Sequence, residues 1–207
     1  MTDNASKPAV LNVPNSLTAL RLLLSVVMFV TLAMGLYVTS AALFVVAAGT
    51  DWMDGYWARR YGQVTTLGRI LDPFADKVII CGTFIFLVGV PVMSVVPWGL
   101  RPWMVVVIVG RELLVTALRG MLEQRGADFS AKMSGKLKMV LQCVAAVACL
   151  VYLAYGAPVS QPMSLPPAPA WVWATMVVSV WGAVALTVYS GVIYVVAAAR
   201  LMRRTQA

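Results

Sequence analysis

Histidine is absent from this sequence, and its 3 cysteines form no C-x-x-C pair. Zinc and haem sites therefore lack their usual ligands. Cys81, Cys143 and Cys149 all lie within apolar runs and read as small packing residues. Charge is scarce: 12% of residues are charged, against about 25% in an ordinary soluble domain. Period-2 alternation is also missing, which excludes a membrane β-barrel for so apolar a chain. The first dozen residues have no basic region of the kind that opens a secretory signal. The apolar run after them is too long for a cleaved one, so it is kept as a membrane helix.

What is present is hydrophobicity, 61% of the chain. Apolar windows recur at 17–38, 41–58, 78–96, 103–118, 139–155 and 171–199. Each is near the ~20 residues that cross about 30 Å of hydrocarbon. The expected fold is an all-α integral membrane protein, a six-transmembrane-helix bundle over residues 14–200. Residues 1–13 are expected to be a disordered tail and 201–207 a basic one. Pro14 should stop the first helix from extending backwards, with Asn15 or Ser16 as its cap, and Arg21 should snorkel to the headgroups. Trp98, Trp103, Trp171 and Trp173 flank apolar runs, as an interfacial aromatic belt would.

The net charge of +8 does not indicate a nucleic-acid partner, because the cations are sorted by position. Of the 16 Lys and Arg, all but Arg101 fall where one topology puts them on the same side. The opposite loops, "GLYVTSA" and "GAPVSQPMSLPPAPA", carry no charge. The positive-inside rule then makes both termini cytoplasmic, with the basic face against anionic lipid.

Half of the 8 acidic residues are concentrated between Gly49 and Lys77. Carboxylates beside hydrocarbon are costly, about 2.5–3.5 kcal/mol each on insertion scales at the bilayer centre. Idle loop residues would not need the spacing seen here. Asp51 and Asp54 are three apart, and Asp72 and Asp76 four apart, so each pair occupies one face of a helix. Gly55, Ala58 and Gly68 would let two such helices approach closely. Four carboxylates at one point would repel unless cations joined them. Oxygen ligands alone select hard ions such as Mg²⁺ or Mn²⁺. Two such ions about 3.5–4 Å apart are suited to phosphoryl displacement, and Arg59 could hold a phosphate. An ion-coupled transporter is the other class that uses membrane carboxylates. It should place them near the midplane of broken helices, whereas these cluster toward the cytoplasmic end.

The stretch "DWMDGYWARRYGQVTTLGRILDPFADK" resembles the CDP-alcohol phosphatidyltransferase family, fitting D-x-x-D-G-x-x-A-R-x8-G-x-x-x-D-x-x-x-D in full. "NVPNSLTALR", "GRELLVTALR" and "SGKLKMVLQ" look like the further motifs of its phosphatidylglycerophosphate-forming branch. Met139 is a departure, since that branch usually has Thr there. The resemblance covers the first five expected helices; the sixth carries no motif.

The resemblance implies an enzyme in a bacterial inner membrane, its active site facing the cytoplasm, that displaces CMP from CDP-diacylglycerol with an alcohol. It implies two divalent cations, Mg²⁺ or Mn²⁺, on Asp51, Asp54, Asp72 and Asp76, with Asp76 also the general base. Asn15, Thr18, Gly55, Arg59 and Thr65 would contact the CDP-lipid, although Asn15 could equally be a helix cap. It also suggests a homodimer. For the acceptor, sn-glycerol 3-phosphate, the expected phosphate ligands are Arg111, Arg119, Lys136 and Lys138. Arg111 lies too deep for easy snorkelling, and a buried guanidinium needs a partner. Each lysine alone could be an ordinary cytoplasmic-side charge. Ser134 and Gly135 would cap the helix that carries them. Inositol phosphate and phosphatidylglycerol are the alternative acceptors.

Overall fold

A computed structural model describes the backbone at 13–61, 66–123, 133–156 and 168–205. Side chains are described at 16–50, 71–121, 137–156 and 168–200. The described residues form seven helices and no strand: α1 (Val13–Ala33), α2 (Tyr37–Tyr61), α3 (Thr66–Gly89), α4 (Pro91–Val95), α5 (Pro102–Glu123), α6 (Met133–Gly156) and α7 (Ala170–Thr205). Of the expected N-terminal tail, all but Val13 lies outside the described residues.

Three stretches are long and apolar enough to cross a membrane: Ser16–Ala33, Leu137–Gly156 and Ala170–Arg200. A shorter apolar run, Tyr37–Thr50, opens α2. The apolar character of α3 is interrupted by Asp72, Asp76 and Lys77, and that of α5 by Arg111, Glu112 and Arg119. The helices richest in candidate chemistry are thus among those least like simple spans.

Several expected boundaries move. α1 begins at Val13 and not after Pro14, because proline is tolerated in a first turn whose N–H groups have no helical acceptor. Asn15 and Ser16 therefore stand inside the helix, past the N-cap position. α1 stops at Ala33, short of 38, where Gly35 takes φ 76° and reverses the chain into α2. The expected 78–96 helix ends at Gly89, before Pro91, whose ring disfavours helix in the residue preceding it. α4 is a separate short turn. α6 starts at Met133, so Ser134 and Gly135 belong to its first turn.

The chain divides into two compact units, Met1–Gly82 and Thr83–Ala207. In the first, α1 packs on α2. Thr31 and Ser40 hydroxyls meet at 2.9 Å beside the turn. Thr18, Arg21, Ser25, Met28 and Leu32 form one buried stripe on α1. Its spacing of three and four residues is helical, but its N-terminal half is polar. Ser25 satisfies itself on the Arg21 carbonyl at 2.8 Å.

In the second unit α7 packs against both α5 and α6. Leu150, Leu153, Met176, Val180 and Ala183 fill the α6–α7 seam, and Gln142 donates to Thr187 within it at 3.2 Å. In the N-terminal third of α7, the indole N–H groups of Trp173 and Trp181 donate to the carbonyls of Pro97 and Trp98 at 3.2 and 3.0 Å. Arg101 donates to the carbonyls of Ser94 and Val96 at the end of α4. Its charge serves a helix C-terminus, where cations are favoured.

Candidate active site

α3 presents Asp72 and Asp76 one turn apart, both partly exposed. Pro73 lies between them and takes a backbone N–H out of the helix. Lys77 donates to the Pro73 carbonyl at 2.8 Å. Each carboxylate meets one donor from α1. The Thr18 hydroxyl donates to Asp72 Oδ1, and Arg21 Nη1 donates to Asp76 Oδ1 at 3.0 Å. Thr18 and Arg21 are three apart on one helix, the aspartates four apart on the other, so the contacts form two successive rungs.

Arg21 corrects the sequence reading. It does not snorkel: its side chain is 1% exposed and forms an ion pair with Asp76. A buried guanidinium is tolerated only where a carboxylate compensates it, and Asp76 does so. Thr18, expected to touch the CDP-lipid, is fully buried against Asp72.

Asp51, Asp54, Gly55 and Arg59 belong to the C-terminal half of α2, Asn15 to the first turn of α1 and Lys136 to the first turn of α6. Their side chains lie outside the described residues, as does Thr65 altogether. Among the described residues no group of three or more metal-ligand side chains occurs. The donor set still suits the implied cations: a carboxylate pair one turn apart, in a chain without histidine, is a hard-oxygen set.

The second unit brings together three of the four residues expected to hold the acceptor's phosphate. Arg111 and Arg119 are on α5 and Lys138 on α6. Lys138 pairs with Glu112, the two side chains being 6% and 13% exposed. Glu112 also lies 3.5 Å from Arg111 Nη1. From α7, Tyr194 places its ring under the Arg111 guanidinium, 5.4 Å from centroid to carbon, and its hydroxyl 3.5 Å from Arg119 Nη2. The Nε atoms of Arg111 and Arg119 are buried without a hydrogen-bond partner. Both arginines are partly buried, and each turns an unsatisfied donor toward the interior. Sequence reasoning missed Glu112 as the counter-ion and Tyr194 entirely. The first was signalled by its place beside Arg111; the second had no motif around it.

A family model described as CDP-alcohol phosphatidyltransferase matches residues 11–189. The chain belongs to this family. It is 35% identical over 202 residues to a probable phosphatidylglycerophosphate synthase of Mycobacterium tuberculosis, covering 95% of this chain and 86% of that one. It is 41% identical over 117 residues to a CDP-diacylglycerol–glycerol-3-phosphate 3-phosphatidyltransferase of Bacillus subtilis, spanning 56% of each chain. An Escherichia coli K12 protein of that same name is 36% identical over 145 residues, 65% of this chain and 74% of its own. The family assigned from the aspartate motif is thereby shown.

Proposed function

We propose that this protein transfers the phosphatidyl group of CDP-diacylglycerol to sn-glycerol 3-phosphate, giving phosphatidylglycerophosphate and CMP. Family membership and the names of the bacterial relatives support the reaction. The observation that carries the choice of acceptor is the Arg111–Arg119 pair, partly buried, whose Nε donors are buried and unsatisfied. Such donors suit a phosphate, and a neutral or lipid acceptor would leave them without purpose.

In this reading Asp51, Asp54, Asp72 and Asp76 hold two divalent cations, Mg²⁺ or Mn²⁺. When bound, these would offset the diphosphate charge and polarise the reacting phosphoryl group. Thr18 and Arg21 orient Asp72 and Asp76 from α1. Asp76 takes the proton of the acceptor hydroxyl as its oxygen attacks the lipid-side phosphorus. The bond from that phosphorus to the bridging oxygen breaks, and CMP leaves with the oxygen. Gly55, Arg59, Asn15 and Thr65 are assigned to the CDP headgroup. Arg111, Arg119, Lys136 and Lys138 are assigned to the acceptor's phosphate, with Glu112 balancing Lys138. The proposal includes a cytoplasmic-facing site in an inner membrane, six spans and a homodimer.

The test supplies purified protein with CDP-diacylglycerol and, separately, radiolabelled glycerol 3-phosphate, inositol phosphate and glycerol. Incorporation of glycerol 3-phosphate alone is expected, lost in excess EDTA. Preferred incorporation of another alcohol overturns the acceptor assignment, and full activity in EDTA overturns the cations. Arg111→Gln should raise KM for glycerol 3-phosphate roughly tenfold or more, the scale of one charge-assisted contact. Arg59→Gln should instead raise KM for CDP-diacylglycerol.

A further inference from the structure

Glycine and tyrosine one turn apart on α7, Gly191 and Tyr194, receive one arginine of α5. A Cβ on Gly191 would stand 3.1 Å from Cγ of Arg111, so the absent side chain makes room for the arginine's stem. Tyr194, 3% exposed, carries the guanidinium of that arginine on its ring face. Its hydroxyl then reaches Arg119, which lies eight residues, just over two turns, further along α5. One phenol thus touches both cations. Neither polar contact of these guanidiniums is tight: Arg119 to Tyr194 and Arg111 to Glu112 are both 3.5 Å. Charge-assisted bonds to a committed partner are usually nearer 2.8 Å. The arginines are held in place without being satisfied, and both keep a buried, unpartnered Nε. Residues 191 and 194 also lie past the end of the segment matching the family model, 11–189.

We infer that Tyr194, seated beside Gly191, is a positioning residue that sets the spacing of Arg111 and Arg119 for a dianionic phosphate. This rests on the acceptor assignment above and adds the element that shapes it. The hydroxyl holds Arg119 by a hydrogen bond, the ring holds Arg111 by cation–π attraction, and the notch at Gly191 lets Arg111 lie flat on α7.

Tyr194→Phe isolates the hydroxyl, since the ring and its packing remain. It should raise KM for glycerol 3-phosphate about threefold or more, leave KM for CDP-diacylglycerol unchanged, and leave the thermal midpoint in detergent unchanged. Gly191→Ala should raise the same KM by displacing Arg111. Combined with Arg119→Gln, Tyr194→Phe should add nothing, because it acts through that arginine. The single variants Arg111→Gln and Arg119→Gln are measured alongside. If they raise the glycerol 3-phosphate KM but Tyr194→Phe does not, the positioning role is overturned while the acceptor site stands. If neither arginine variant moves that KM, the acceptor assignment itself falls and the inference with it. Equal loss in both KM values with a lowered midpoint would make Tyr194 a packing residue only.

Discussion

Arg21, 1% exposed on α1, donates to Asp76 Oδ1 on α3 at 3.0 Å, one rung along from the Thr18–Asp72 hydrogen bond. A helix that looks from its composition like a simple membrane anchor therefore supplies the donors that orient two candidate catalytic carboxylates. Fixing one oxygen of each aspartate limits rotation about its side-chain bonds and so restricts where the other oxygen can point. Preorganisation of this kind lowers the reorganisation needed during reaction.

Arg21→Lys keeps the charge but loses the planar fork, so Asp76 is neutralised yet poorly oriented. We expect turnover to fall about tenfold or more, the scale of a charge-assisted contact, with the thermal midpoint little changed. Arg21→Leu removes the counter-ion and should lower the midpoint as well. Wild-type turnover in Arg21→Leu would show that α1 does not orient Asp76.

Glu112 and Lys138 form a pair largely shielded from solvent. Glu112→Gln removes the charge that faces the ammonium, and breaking such a pair costs up to about 3–5 kcal/mol. Thermal unfolding in detergent should show a marked loss for Glu112→Gln. Much of it should return in Glu112→Gln/Lys138→Met, which removes both charges. A double variant no more stable than the single one would assign the loss to packing instead.

Gly82 on α3 lies against the Phe29 ring of α1, and a Cβ there would overlap it. Gly82→Ala should therefore destabilise by about 1–3 kcal/mol through overpacking, despite alanine's better helix propensity. Phe29→Leu in the same chain should relieve part of that loss. A more stable Gly82→Ala protein would mean that the ring moves aside at no cost.

The proposed topology is tested by Thr66→Cys and Ser160→Cys in a background with Cys81, Cys143 and Cys149 replaced by alanine. In intact cells an impermeant maleimide should label position 160 and not position 66. Labelling at 66 from outside would invert the orientation.

The sequence by itself determined the helical class and the family. Continuous apolar runs leave helices as the form that satisfies backbone polar groups in lipid. The eight fixed positions from Asp51 to Asp76 carried the family because their order and spacing lie within one short stretch. Gly89 and Pro91 bounded α3 in a way that hydropathy averaging smoothed over. What only the tertiary structure decided was which polar residue meets which. Arg21 could snorkel or pair, and nothing local distinguishes the two; the position of Asp76, 55 residues away, does. Lys138 could be a phosphate ligand or one more cytoplasmic-side charge, and only the fold brought Glu112 within its reach from another helix. Tyr194, in a run of valine, isoleucine and alanine, was indistinguishable from a packing aromatic. Periodicity along a helix marks its faces, whereas the identity of the neighbour on each face is a property of the folded chain.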